Sequence, residues 1–298
     1  MFVTTRYTFY MNKFLFITFF ISSLFMQGQE VYEYYGGVKL NDTSIISYKI
    51  TFSEINGVIN GFSVTDLQGP HETKSLIKGT YDSDEKVISF SEHDIVYTKS
   101  EYSEDMFCFI HFTSERFILG KSKSMDGYFE GKYEDETKCL DGELLLLEME
   151  KIRNKARKIT KKIERSKRIA DSIKVRANPT RLLDTLNMNV LRKEEKMNVF
   201  VKGNSLEMIL FDGGKEDGDE VDIWVDDQLV LEKYQIINNQ YRLAIPLSQK
   251  TVVKIKARNN GEIKPNTMSV IFKYDGRVVE ALSNLNEGEI TEIVFLKK

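Results

Sequence analysis

The sequence predicts a mainly β protein: a barrel-like antiparallel meander, then a long basic helical spacer, then a C-terminal β-sandwich. Three observations carry that prediction. An Asn-Gly turn and a repeated strand–turn–strand unit occupy the first half. After Met149 the apolar period changes from two to alternating steps of three and four. From Asn198 onward a short β-prone run recurs about every ten residues.

The chain begins with an export signature. Met11-Asn12-Lys13 leads into thirteen uncharged residues, Phe14 to Met26, and then Gln27-Gly28-Gln29. A basic start, a short apolar stretch and a small residue at the cleavage point read as a signal peptide over residues 1–28. The apolar run is shorter than the ~20 residues a membrane-spanning helix needs. The expected location is therefore secreted or periplasmic, away from cytoplasmic nucleotide cofactors. Cys108 and Cys139 are the two cysteines, and neither follows the signal, so the chain does not read as a lipoprotein. An even count in an oxidising compartment predicts one disulfide between them.

Beyond the signal lie about 270 residues, enough for two domains of ordinary size. The net charge of −3 conceals a segregation. Glu30 to Leu147 carry 22 acidic and 11 basic residues, net −11, whereas Lys151 to Arg176 carry 12 basic and 2 acidic, net +10. The expected units are residues 30–148 (barrel-like), 149–197 (basic helix and linker) and 198–298 (sandwich).

In the first unit, Ile45–Phe52 and Val58–Val64 flank Asn56-Gly57, a strong hairpin signal because both residues tolerate positive φ. Ile77–Ile88 then matches Phe129–Leu140 at a spacing of 52 residues, each copy a strand, an acidic turn and a second strand. Closing such a meander removes its exposed edges. The Gly-x-Tyr strands, Gly79-Thr80-Tyr81 and Gly131-Lys132-Tyr133, resemble those of lipocalin-like and avidin-like barrels in architecture. Tyr34, Tyr35, Phe62, Tyr81, Phe90, Phe107, Phe109, Phe129 and Tyr133 are the aromatics that would line or fill the barrel.

Met149, Ile152, Ala156, Ile159, Ile163, Ser166, Ala170 and Ile173 form an a/d stripe on a helix otherwise covered by Lys and Arg. The stripe suits a coiled coil, and residues 149–173 are the expected seat of a homodimer or of pairing with the acidic barrel. Asn178-Pro179 reads as the stop, and residues 180–196 as a linker with one short helix.

The last unit reads as nine strands: Asn198–Val201, Leu206–Phe211, Val221–Val225, Leu229–Tyr234, Tyr241–Pro246, Val252–Ala257, Ser269–Tyr274, Val278–Leu282 and Ile290–Leu296. Trp224, mid-strand, reads as core. Phe211-Asp212-Gly213-Gly214-Lys215-Glu216-Asp217-Gly218-Asp219-Glu220-Val221-Asp222-Ile223, with Ala257-Arg258-Asn259-Asn260-Gly261 and Pro265-Asn266-Thr267, resembles a β-sandwich module at the C-terminus of uncharacterised secreted bacterial proteins. That resemblance covers about a third of the chain. It implies an envelope-facing accessory protein and brings no activity with it.

Asp212, Asp217, Asp219 and Asp222 invite calcium, which takes six to eight oxygens, although their spacing is not that of an EF-hand. The competing reading is a polar β-turn whose aspartates accept neighbouring N–H groups. His71, His93 and His111 lack metal-site spacing. Neither a nucleophile elbow nor a P-loop occurs. The function expected is non-catalytic binding of an envelope protein, a glycan or a surface polymer. The alternatives are a carrier of small ligands inside the barrel and, third, a glycan-directed hydrolase. Neither a nucleic-acid partner nor a membrane span is expected.

Overall fold

Eight strands close on one another before the chain leaves the first half. The computed structural model describes residues 30–40, 44–176 and 178–298; the signal segment, 1–28, lies outside them. The strands are β1 Val31–Lys39, β2 Ile45–Ile55, β3 Val58–Thr65, β4 Thr73–Asp82, β5 Val87–Thr98, β6 Phe109–Ser114, β7 Ser124–Lys132 and β8 Gly142–Glu148. They follow the order β5-β4-β3-β2-β1-β8-β7-β6, and antiparallel pairing of β6 with β5 closes the barrel. The β2–β3 hairpin turns at Asn56 and Gly57, both at positive φ as expected.

The repeat has a steric reason. A side chain at Gly79 would place its Cβ 2.0 Å from the Ser89 carbonyl oxygen, and one at Gly131 would sit 2.1 Å from that of Leu140. Glycine is required wherever strands of so small a barrel approach this closely. Gly131 also lies against the disulfide, which joins Cys108 to Cys139 with Cα atoms 6.1 Å apart.

Strand alternation fills the interior. Tyr34 and Val38, Tyr48, Ile50 and Phe52, Ile88 and Phe90, Phe112, Phe129, Leu144 and Leu146 are buried in one cluster. Of the other predicted aromatics, Tyr81 packs against that cluster, while Phe109 joins a small cluster with Ile95 and Phe200, and Phe107 packs beside it. Phe62 lies on the outer wall and Tyr133 is exposed. One carboxylate is enclosed with the apolar groups. Glu92 accepts hydrogen bonds from the hydroxyls of Tyr48 (2.8 Å) and Ser63 (2.5 Å) and from the Ile110 N–H (2.8 Å). Burial pushes its carboxyl above the usual range and the Tyr48 hydroxyl well above its own.

The second half supplies β9 Val190–Leu191, β10 Lys196–Val201, β11 Ser205–Phe211, β12 Glu220–Val225, β13 Gln228–Gln235, β14 Tyr241–Pro246, β15 Lys250–Ala257, β16 Asn266–Tyr274, β17 Arg277–Leu285 and β18 Ile290–Lys297. One sheet runs β13-β12-β15-β18-β10 and continues into the barrel, because β10 pairs with the end of β5 (Asn198 opposite Thr98, Val199 opposite Tyr97). The other runs β14-β11-β16-β17-β9. Residues of both sheets share one apolar cluster, including Met197, Val253 and Phe295 from the first and Met208, Val270 and Phe272 from the second. Trp224 departs from expectation. Val221 and Ile223 point into that cluster, so alternation turns Trp224 to the opposite face, where it is only partly buried.

The long helix also departs from expectation. The segment forms α1 Met149–Arg165, α2 Asp171–Arg176 and α3 Pro179–Thr185. The stripe is helical through Ile163 but breaks at Ser166, so the coiled-coil reading of 149–173 is not realised. Burial explains the break. Met149, Ala156 and Thr160 are the buried residues of α1. Beyond Thr160 the cations Lys161, Lys162, Arg165, Lys167 and Arg168 crowd a helix that lacks the tertiary packing helices depend on.

The disulfide yields a prediction for the barrel. It closes a loop with a sequence separation of 31, worth ~3–4 kcal/mol in the chain-entropy account. A Cys108→Ser/Cys139→Ser protein should melt lower by about 2–4 °C per kcal/mol lost, read by circular dichroism under oxidising conditions. Coincident melts would show that the cross-link adds nothing to stability.

Candidate functional site

The basic helix builds a surface groove together with the segment after it. Asn178 caps α3 by accepting the N–H groups of Thr180 (3.0 Å) and Arg181 (3.3 Å), and Pro179 occupies the first turn, where a missing N–H costs little. Asn178-Pro179, read from sequence as a stop, follows the end of α2 at Arg176 and also starts α3. The same Asn178 Oδ1 accepts the Thr160 hydroxyl at 3.2 Å, and the hydroxyls of Thr160 and Thr180 are 3.1 Å apart. These contacts lay α3 along α1.

Between the two helices runs an apolar groove of about 410 Å³. Ala156 is buried in it, its walls are Ile152, Ile159, Leu182, Leu183 and Leu186, and Lys155 lines its edge. Ile159 is 40% and Leu182 57% exposed, so the walls are open to solvent.

The electrostatics of α1 differ from the expected pairing with the acidic barrel. Its sequence carries eight cations. Arg153 reaches the barrel, at 2.8 Å from Glu33, and Arg157 pairs within the helix with Glu150 at 3.3 Å. Among the described residues the other six, Lys151, Lys155, Lys158, Lys161, Lys162 and Arg165, have no carboxylate partner. Those near the C-terminal end are favoured by the helix dipole, but the charge as a whole is directed to solvent.

The aspartates named from the sequence take different partners. Asp212 accepts the Gly214 N–H (2.7 Å), and Asp217 accepts that of Ile263 (3.0 Å). Asp222 is turned away, accepting the Lys233 N–H (2.7 Å) and pairing with Arg258 (3.3 Å). Asp219 accepts the Thr267 N–H (2.7 Å), while its other carboxylate oxygen is buried without a partner among the described residues. Asp217 and Asp219 meet over Gly261, at positive φ, where an added Cβ would lie 2.8 and 2.7 Å from their Oδ1 atoms. Burial, then the charges of Asp217 and Asp212, push the Asp219 carboxyl up to about 6. Among the described residues no group of three or more His, Cys, Asp or Glu side chains is arranged to hold a metal ion. His93 and His111 stand on neighbouring strands, and His71 lies in the β3–β4 turn.

The groove was missed in the sequence because half of it comes from residues read as linker. The apolar spacing of Leu182, Leu183 and Leu186 after an Asn-Pro cap was the available signal. No helix among the described residues is long and apolar enough to cross a membrane. Comparison with family models, curated proteins and solved structures returns no match to this chain.

Asp219 provides a pH test. Its folded value of about 6 lies above the unfolded ~3.9. Its contribution to stability is therefore full below the unfolded value and is lost as pH rises through about 6. Asp219→Asn should melt several degrees above the parent at neutral pH, the gap opening between about pH 4 and 7. Parallel melting curves across that range would refute the assignment.

Proposed function

We propose that this chain is an exported, non-catalytic binding protein of the cell envelope, and that the α1–α3 groove captures an acidic amphipathic segment of a partner protein. The observation that carries the reading is the union of an apolar groove with a helix on which six of eight cations have no carboxylate partner among the described residues. A concave apolar floor receives the ridge of an amphipathic helix, and a cationic rim selects one with acidic flanks. A membrane surface fits less well. It calls for a protruding apolar face, whereas Ala156 forms a recessed one.

The packed barrel interior supports a binding module over a carrier that holds its ligand inside the barrel. The two sheets of the second half, sharing one core, are consistent with a β-sandwich module of the secreted kind that the Asp-Gly-Asp and Pro-Asn-Thr elements resemble. The disulfide fits an oxidising compartment.

The test is a crosslinked pull-down of the tagged chain from its native envelope, read by mass spectrometry. A dominant partner with an acidic amphipathic segment is expected. Reversal of Lys155, which lines the groove, together with the exposed Lys158 and Lys162 of the same helix (Lys155→Glu/Lys158→Glu/Lys162→Glu) should abolish its capture while leaving the thermal melt unchanged. Equal capture by the reversed protein, or recovery of the bait alone, would overturn the groove as the site.

A further inference from the structure

A second opening lies elsewhere, at the seam where the second sheet meets the outer wall of the barrel. It is about 270 Å³ in volume, walled by β2–β5 on one side, by residues 186–189 along an edge, and by Val278 and Glu280 of β17 opposite. Sites at such junctions commonly hold ligands, and this volume lies just below the ~300–1,000 Å³ range of drug-sized ones.

Four charged side chains line it: Lys49, Glu72, Lys74 and Glu280. Two are committed. Lys49 donates to Asn187 Oδ1 at 2.5 Å and stands 3.3 Å from Glu33. Glu72 accepts the Tyr97 hydroxyl (3.0 Å) and the Gln68 N–H (2.5 Å), and Lys99 lies at 3.7 Å. The other two are not. The Lys74 ammonium rests over the Phe62 ring, 4.0 Å from its centroid. Among the described residues it has neither an ion pair nor a hydrogen bond, and the same is true of the Glu280 carboxylate. Burial holds the Lys74 amine below the ordinary lysine range, with the Glu280 charge opposing that shift and the Lys49 charge adding to it. A partly buried ammonium and a solvent-exposed carboxylate thus line one small cavity without closing on each other. The rest of the wall includes Val64, Leu67, Leu186 and Met188.

We propose that this cavity binds a small zwitterion of the amino-acid type, its carboxylate on Lys74, its ammonium on Glu280 and an apolar side chain against Leu67 and Met188. A dianion such as phosphate is disfavoured because Glu72 and Glu280 share the lining. An apolar cation has one carboxylate to meet but leaves Lys74 bare. The zwitterion satisfies both, and hydrogen bonds to charged groups are the strong ones.

Isothermal titration of the full chain with alanine, leucine and phenylalanine tests this. Saturable binding of at least one is expected. For leucine the analogues 4-methylpentanoate, lacking the amine, and 3-methylbutylamine, lacking the carboxylate, should each bind about tenfold or more weakly. Lys74→Met should cost about as much and leave the amine's affinity unchanged, and Glu280→Gln should do the converse. No saturable binding of any of the three amino acids would overturn the proposal, as would analogues matching their parent. The analogue comparison needs no variant, so it decides the matter even where Lys74→Met does not fold. The α1 charge-reversed protein should bind the amino acid as the parent does, which keeps this site distinct from the groove.

Discussion

Strand β5 is the constraint on which the rest of the structure depends. It belongs to the barrel at one end and to the sheet of the second half at the other, and it changes allegiance within four residues. Against β4, Leu76 pairs with His93, Ser75 with Ile95 and Lys74 with Tyr97, so Asp94 and Val96 are each an extra residue on β5. Two successive bulges bend the strand and re-aim its side chains. Ile88, Phe90 and Glu92 therefore point into the barrel, Ile95 enters a small bridging cluster, and Val96 and Tyr97 enter the core of the second half. Asp94 occupies the left-handed region at φ 53, which an aspartate tolerates better than a branched residue would.

That bend is held by charges that come from the far end of the sequence. Asp94 is paired with Arg277 (2.5 Å) and Lys298 (2.5 Å), and these two cations hold its carboxyl below the ordinary range despite burial. Just past the bend, Lys99 is almost wholly buried; it donates to the Val190 carbonyl at 2.7 Å and lies 3.7 and 3.6 Å from Glu72 and Glu195. A buried ammonium is tolerable only when its desolvation is offset by such partners. The partners come from the β3–β4 connection and from the segment leading into β10. The two halves are thereby joined by ladder hydrogen bonds and by a polar network whose members come from both.

Much of this was legible in local chemistry. The Asn56-Gly57 hairpin, the spacing of Gly79 and Gly131, the cysteine pair and nine strands of the second half all arise from residues that act on their immediate neighbours. What was not legible depended on distant packing. The helix ends near Arg165 because α3 covers only the first part of its stripe, and that cover comes from residues twenty positions away. Trp224 faces outward because Val221 and Ile223 already hold the core positions. Strand β9 is two residues long and exists because it finds β17. The bulges of β5 leave no sequence signature beyond Asp94 itself. As for the candidate sites, the cationic helix was visible as a charge run, but its groove and the seam cavity are each made by segments that meet only in the folded chain.

Leu186 lines both openings, the groove beside α1 and the cavity at the seam. It comes directly after α3, and the next residue, Asn187, holds Lys49 on the barrel wall. One short connector therefore forms a wall of each site. If a partner in the groove repositions α3, it moves Leu186 and Asn187 with it and alters the cavity in which Lys74 stands. Linkage requires the reverse with equal strength: a molecule that fixes the connector from the seam side biases the groove by the same free energy. The physical route is Leu186, which lines both openings, with residues 187–189 following it along the cavity. Were the groove and the cavity both filled as proposed, that shared wall would let one occupant report the presence of the other without any change in the barrel.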